Sequence, residues 1–144
     1  MNAIVEIMRF QSDRLLNTQT YDWTNEAKNI LEEVCEADGL DIPKELRTTI
    51  LEPAIQNMRA LVSDFAEPAR PVTNEEIVDA YGDIIVFAIG AIMKLGYSPE
   101  GVLDEVAKEI NSRKGEIING KFEKFTDKKH TQQWYKADFS KHRV

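Results

Sequence analysis

Residues 75–93 read EEIVDAYGDIIVFAIGAIM, a row of acids followed by ten residues without charge. Glu76, Asp79 and Asp83 are spaced three and then four residues apart, which puts their carboxylates on one face of a helix. The uncharged stretch is too short to span a membrane and is typical of a helix buried in a protein core. Because a carboxylate entering a core is costly unless a positive group meets it, the segment predicts a helix whose acids bind a cation.

A second acidic cluster lies earlier, at Glu32, Glu33 and Glu36. Two carboxylate clusters that face each other form an all-oxygen site suited to Mg²⁺ or Mn²⁺. Acids at this spacing are also common on solvated helix faces, so the first cluster alone is weak evidence for a metal. In the second cluster, the positive end of the helix dipole explains why an acid such as Glu76 is favourable in the first turn. It explains poorly why Asp83 occurs deeper in the helix.

Apolar residues at helical spacing predict three helices in the first part of the chain. The first covers roughly residues 2–17. Thr24 is a suitable N-cap for the second, which ends at Gly39. Pro43 suits the first turn of the third, and Pro53 is expected to kink or split it. In the second helix the residues expected to face inward are Ala27, Ile30, Leu31 and Val34.

Pro68 and Pro71 predict an exposed loop before the fourth helix. Thr73 and Glu76 form a T-x-x-E capping box, and the helix is expected to end at Gly96. Ser98 is a suitable cap for a fifth helix, whose inward residues are expected to be Val102, Leu103, Val106 and Ile110.

From Gly115 the helical spacing is lost, and the remainder predicts an irregular or short-stranded tail. The tail carries aromatic anchors among charged residues. The predicted class is all-α, a bundle of four to five helices. At 144 residues the chain is most simply one domain, a helical body over 1–114 and a basic, aromatic-anchored tail over 115–144.

Charge is unevenly distributed along the chain. Residues 1–107 hold 8 Lys/Arg against 20 Asp/Glu, whereas residues 108–144 hold 10 against 5. An acidic body argues against nucleic acid as a partner, and no signal or membrane segment is evident. The single cysteine, Cys35, excludes an internal disulfide and suits a reducing cytoplasm. The acids could hold a metal ion, and the basic tail could hold phosphates. For the charge asymmetry alone, a tail packed on an acidic surface by charge is the favoured explanation.

These motifs together resemble the MazG-like all-α nucleoside triphosphate pyrophosphohydrolases. Glu33-x-x-Glu36 is similar to the first half of the family signature, and Glu76-x-x-Asp79 matches the second half literally. Asp83 immediately precedes the hydrophobic stretch, as the family's aspartate does. The end of the chain is similar to that of small phage and bacterial members, through Glu105-Val106, Asn111, Lys114, Gly120-Lys121 and Tyr135-Lys136-Ala137-Asp138.

The resemblance implies Mg²⁺-dependent hydrolysis of a nucleoside triphosphate between its α and β phosphates, in a homodimer or homotetramer. It implies catalytic roles for Glu32 and Glu33. The metal ligands that it implies are Glu33, Glu36, Glu76, Asp79 and Asp83. The substrate-binding residues that it implies are Asn111, Arg113, Lys114, Lys121 and Tyr135. Ala137 stands where proline is usual, and the two acid clusters are farther apart than in the family.

A second interpretation comes from a different class of protein. The same helices could form a non-catalytic module that binds a nucleotide or a protein partner, with the acids as a solvated or partner-facing stripe. Thermal stabilisation by Mg²⁺ or Mn²⁺ discriminates between the two interpretations, because a ligand that binds only the folded state raises the melting temperature.

Overall fold

The structure, a computed structural model, describes residues 2–66, 70–119 and 121–144, and most of these residues are helical. The helices are α1 Ala3–Asp13, α2 Trp23–Ala37, α3 Arg47–Phe65, α4 Asn74–Lys94, α5 Pro99–Ser112 and the single-turn α6 Lys128–Thr131. The strands β1 Gly115–Ile118 and β2 Lys121–Lys124 form an antiparallel pair. The predicted helical class is therefore confirmed, with a hairpin at the start of the tail. Within the described ranges, no helix is both long and apolar enough to span a bilayer.

The chain divides into two compact units. The central unit is Thr20–Pro71, and the terminal unit combines Met1–Gln19 with Val72–Val144. The central unit therefore contains α2 and α3, and the terminal unit contains the remaining helices and the hairpin. This division does not coincide with the boundary at residue 114 that the loss of helical spacing indicated, and the single domain stays a prediction.

The first two helices begin or end at other residues than predicted. α1 ends at Asp13 rather than near residue 17, because Leu15 adopts a left-handed backbone conformation with φ 56°. A 3₁₀ turn, Leu16–Thr18, follows it. α2 is capped by Asp22, whose side chain accepts a hydrogen bond from the Thr24 amide, so the prediction that Thr24 is the cap was wrong.

α3 runs through Pro53 without interruption, so of the two predicted outcomes, a kink or a split, the split was wrong. Proline removes one backbone donor, but the flanking turns hold the helix together. Pro43 precedes a 3₁₀ turn, Lys44–Leu46, instead of lying in the first turn of α3. In the predicted loop, Pro71 is exposed, and Pro68 lies outside the described residues.

The predicted ends of the later helices are confirmed. Thr73 and Glu76 form both halves of the capping box of α4. The helix ends just before Gly96, which has the positive φ of +84° that favours glycine. The Ser98 side chain accepts from the Gly101 amide and caps α5.

The central unit is an α2–α3 pair held together by apolar and charged contacts. Leu51 and Ile55 of α3 are buried. Lys28 Nζ lies 3.2 Å from a Glu52 carboxylate oxygen, so this buried lysine is paired across the two helices. Val34, expected to face inward, is exposed. The polar residues of α2, rather than only its apolar ones, therefore contribute to packing against α3.

The terminal unit is built on the contact between α1 and α5. The Asn111 side chain donates to the carbonyls of Glu6 on α1 (3.1 Å) and of Ala107 on α5 (2.9 Å), tying the two helices together. Phe10 and Phe122 meet edge to face at a centroid distance of 5.4 Å, which places β2 against α1.

α4 is the element that differs most from the prediction. It was expected to be a buried core helix, yet none of its residues is buried, and Phe87 is 78% exposed. Across the described residues, the buried hydrophobic side chains are Leu51, Ile55 and Ala107. Among the described residues, the apolar run of α4 therefore contributes no buried side chain to a core.

Candidate functional site

The carboxylates of α4 lie on an exposed helix surface. Glu76 is occupied in the capping box with Thr73. Asp79 and Asp83, one helical turn apart, are exposed and have no side-chain hydrogen bond or ion pair within the described residues. An exposed carboxylate keeps its hydration, so the argument that Asp83 lies deep and therefore needs a cation was wrong.

The earlier acidic cluster lies on α2, in the central unit. The Arg47 Nε donates to Glu32 at 2.8 Å, and both side chains are largely shielded from solvent. Arg47 also donates to the Asn29 side chain. Glu32 therefore helps to hold α3 against α2, whereas Glu33 and Glu36 are exposed.

The two predicted carboxylate clusters belong to different units of the chain. The structure shows no group of three or more His, Cys, Asp or Glu side chains arranged to hold a metal among the residues it describes. The available donors are oxygen atoms of carboxylates, the type that Mg²⁺ and Mn²⁺ prefer, so their chemistry fits the predicted ion. The metal site stays a prediction.

Among the predicted substrate-binding residues, the side chains of Asn111, Arg113 and Tyr135 make contacts within the terminal unit. Asn111 bridges α1 and α5, and Tyr135 Oη donates to the Glu105 carboxylate at 2.5 Å. The guanidinium of Arg113, the residue that follows α5, pairs with Glu109 of that helix. Lys114 is exposed just after α5, and Lys121 begins β2.

A cluster of aromatic and cationic side chains surrounds Trp134 in the tail. Arg113 lies 5.3 Å and Lys124 lies 5.6 Å from the centroid of the indole ring. Both distances are within the range of cation–π attraction. Neither the indole N–H nor the Arg113 Nε has a hydrogen-bond partner in the described part of the chain, although both atoms are buried. The cluster ties the end of α5 to the hairpin and the tail.

Glu105 organises the end of the chain. Its side chain is fully buried, at 0% exposure. The carboxylate accepts hydrogen bonds from Tyr135 Oη and from the Asp138 amide (3.2 Å), and Lys141 Nζ lies 2.7 Å away. His142 Nε2 lies 3.5 Å from the same carboxylate. One buried acid thus contacts four residues of the tail.

The contacts around Glu105 shift its ionisation and that of its partners. The hydrogen bond from Lys141, followed by that from Tyr135, holds the pKa of the Glu105 carboxyl well below its usual range, although burial opposes this. The hydrogen bond with Glu105 raises the pKa of the Tyr135 hydroxyl. It also raises the pKa of the Lys141 ammonium. The cluster is therefore built around an ionised carboxylate.

Backbone contacts reinforce the docking of the tail. The Ser98 amide donates to the His142 carbonyl, and the Val144 amide donates to the Gly96 carbonyl, both at 2.9 Å. A Cβ added at Gly101 would lie 2.1 Å from Nδ1 of the His142 ring. α5 and the end of the chain therefore approach each other closely at Gly101.

Sequence reasoning noticed Glu105 only as part of the resemblance and assigned it no role. A signal was present, because on a helical projection Glu105 borders the apolar stripe formed by Val102 and Val106. An acid at the border of a buried face needs a partner, and the cationic tail residues were available. The spacing of residues in the sequence does not show which of these cationic side chains reaches Glu105.

A cleft of about 610 Å³ lies between the starts of α1 and α5. None of the predicted site residues lines it. Its lining consists of Asn2, Ala3, Ile4, Glu100, Leu103 and Asp104.

Comparisons with protein families, curated proteins and solved structures find no match to this chain.

Proposed function

We propose that the protein is a Mg²⁺-dependent nucleoside triphosphate pyrophosphohydrolase that releases a nucleoside monophosphate and pyrophosphate. The observation that carries the proposal is the pair Asp79 and Asp83, two exposed carboxylates one turn apart that have no other partner among the described residues. Carboxylates that stabilise no contact of their own are available to bind a hard cation. The sequence resemblance to the MazG-like enzymes assigns the reaction.

In this proposal Asp79 and Asp83 of α4 bind the metal, with Mg²⁺ or Mn²⁺ as the ion. The resemblance also implies Glu33, Glu36 and Glu76 as ligands. A bound divalent ion would offset charge on the phosphate oxygens. The resemblance implies Glu32 or Glu33 as the residue that orients the attacking water, and the Glu32 carboxylate also pairs with Arg47.

The tail supplies the cationic side of the proposed site. Lys114 is exposed and Lys121 lies on the hairpin, so both are candidates for phosphate contacts. Arg113, Asn111 and Tyr135 support the tail through the contacts described above, and we assign them to positioning the lysines. The proposal includes a homodimer or homotetramer in the cytoplasm, on the strength of the resemblance.

The alternative is a non-catalytic helical module that binds a nucleotide or a protein. The specific observation in its favour is the exposed apolar surface of α4, since large exposed apolar patches mark interaction sites. A module of this kind needs no metal, and Asp79 and Asp83 would then belong to a partner-facing surface.

The decisive experiment measures pyrophosphate release from a panel of canonical and modified nucleoside triphosphates with Mg²⁺. We expect turnover of at least one member. Asp83→Asn should abolish turnover and the rise in melting temperature caused by Mg²⁺, because an amide lacks the charge that holds the cation. A ligand at a hundred times its Kd stabilises the folded state by about 2.7 kcal/mol, so the rise is measurable.

Two further variants serve as controls. Asp79→Asn should leave partial turnover, and Glu75→Gln, which changes an exposed acid in the first turn of the same helix, should be nearly neutral. Normal turnover in Asp83→Asn together with an inactive Asp79→Asn would instead favour the literal E-x-x-D motif. A protein that hydrolyses no triphosphate and gains no stability from Mg²⁺ is the non-catalytic module.

A further inference from the structure

The junction between α5, the hairpin and the tail holds more positive than negative charge. Arg113 follows α5 and Lys124 ends β2, and their charged groups lie 5.3 Å and 5.6 Å from the centroid of the Trp134 indole ring. Arg14 also reaches this junction, because its Nη2 donates to the Arg113 carbonyl at 2.8 Å. Of these three cations, only Arg113 forms an ion pair with a carboxylate of the described residues, that of Glu109.

Two N–H donors at this junction are buried without an acceptor. They are the indole N–H of Trp134 and the Nε–H of Arg113, and neither has a hydrogen-bond partner among the residues that the structure describes. Burying a donor without an acceptor is costly, and nearly all buried donors in folded proteins have one. Both groups can donate but not accept, so their common requirement is a ligand with oxygen lone pairs.

The charge of the junction distinguishes an anion from a water molecule as that ligand. The dipole of α5 favours a cation at its end, which accounts for Arg113. It does not account for Lys124, which comes from β2 and forms no ion pair within the described part of the chain. An oxyanion meets both requirements, because its oxygens accept from the two donors and its charge offsets that of the cations. Arginine and lysine are both common ligands of phosphate groups.

We propose that Arg113, Lys124 and Trp134 form a binding site for a phosphate group. Arg113 Nε and the indole N–H donate to its oxygens, and the exposed, flexible Lys124 side chain closes over it and supplies the opposite charge. The inference goes beyond the proposed catalysis, which gives the phosphate contacts to Lys114 and Lys121 and depends on a metal ion. The site proposed here uses other side chains and needs no metal.

The fluorescence of Trp134 reports directly on this site. The chain has two tryptophans, so Trp23→Phe, in the central unit, leaves Trp134 as the only indole. We expect inorganic phosphate, added without divalent metal and at an ionic strength held constant with sodium chloride, to change the emission saturably. A nucleoside monophosphate is titrated in the same way. Saturation by both ligands assigns the site to the phosphate group itself, and saturation by the nucleotide alone assigns it to the phosphate of a nucleotide.

Calorimetric titration of the full chain compares the variants. Lys124→Gln removes the charge, and Trp134→Phe keeps an aromatic ring but removes the N–H. Each should weaken phosphate binding by about ten-fold, as for the loss of one hydrogen bond to a charged group. Lys129→Gln makes the same change in charge at an exposed position of α6 and should bind phosphate as the wild type does. Circular dichroism confirms that the variants fold.

Three outcomes would overturn the proposal. If neither ligand binds saturably, water is the acceptor of the two buried donors. If Lys129→Gln weakens binding as much as Lys124→Gln, binding follows the overall charge of the tail rather than this cluster. If Lys124→Gln and Trp134→Phe both bind as the wild type does, the phosphate lies elsewhere. Because these measurements use no metal and no turnover, their outcome is independent of the assay for pyrophosphate release.

Discussion

At the residue scale, Glu105 shows how one buried carboxylate positions a whole segment. It is fully buried and reaches Tyr135, Asp138, Lys141 and His142 in the tail. A buried charge is tolerated only when it is paired and hydrogen-bonded, and here the tail meets both requirements. The tail is therefore held by an interaction that depends on the charge of one side chain.

We expect Glu105→Gln to loosen the tail while the helices stay folded. The amide can still accept from Tyr135 and from the Asp138 backbone, but it cannot pair with Lys141. Hydrogen exchange should increase at residues 134–144, with little change elsewhere. Glu100→Gln, an exposed acid on the same helix, is the control. If hydrogen exchange in the tail is unchanged in Glu105→Gln, backbone contacts alone hold the tail.

The same residue predicts a pH dependence. Because the pKa of Glu105 is lower in the folded protein than its usual value of 4.5, its contribution to stability is present above that pH and is lost as the pH falls below it. The melting temperature of the wild type should therefore decrease in acid more steeply than that of Glu105→Gln. Parallel pH profiles for the two proteins would contradict this role of the ionised carboxylate.

At the element scale, the hairpin depends on close backbone contact at its first residue. Gly115 pairs with Lys124, and a Cβ added at Gly115 would lie 2.1 Å from the Glu123 carbonyl oxygen. The obstacle is backbone, so relief requires the two strands to separate locally. Lys114, a candidate for phosphate contact, directly precedes this residue, and its carbonyl accepts from the Phe125 amide at 2.8 Å.

We expect Gly115→Ala to disrupt the β1–β2 pairing. The cost should be about 1–3 kcal/mol, because overpacking in a tightly packed site forces the backbone to shift. Urea unfolding measures the change in stability, and amide exchange at residues 115–124 locates it. Glu116→Ala, an exposed neighbour on the same strand, should be close to neutral. Equal losses of stability in Gly115→Ala and Glu116→Ala would contradict the expected clash between the added Cβ and the Glu123 carbonyl.

At the scale of the whole molecule, the division into two units predicts that stability is local. The central unit relies on Leu51 and Ile55, together with its two charged pairs across α2 and α3. The terminal unit relies on the α1–α5 contact and on Glu105. Because the two sets of contacts are separate, damage to one need not spread to the other.

We expect Leu51→Ala, at a side chain that is only 1% exposed, to destabilise the protein by about 2–5 kcal/mol through the cavity that it leaves. Hydrogen exchange should rise within Thr20–Pro71 more than within Val72–Val144. Met58→Ala, at an exposed position of the same helix, should cost much less. Equal loss of protection in both units would show that they unfold as one.

The sequence by itself determined most of the helices and several of their ends. The Thr73–Glu76 capping box, the Ser98 cap and the ends of helices near Gly39 and Gly96 were predicted correctly. These features depend on residues a few positions apart, and such local preferences can be read from the sequence alone. The error in the N-cap of α2 was also local, because Asp22, two residues before Thr24, caps the helix instead.

Only the tertiary structure decided which surfaces are covered and which charges are paired. Glu105 is joined to residues 30 to 37 positions away, and Glu32 is joined to Arg47 across two helices. Periodicity marks a face as apolar but does not say what packs against it, and for this reason α4 was expected in a core and is instead exposed. Burial and pairing depend on contacts between elements that are distant in sequence, because they follow from how the elements pack in three dimensions.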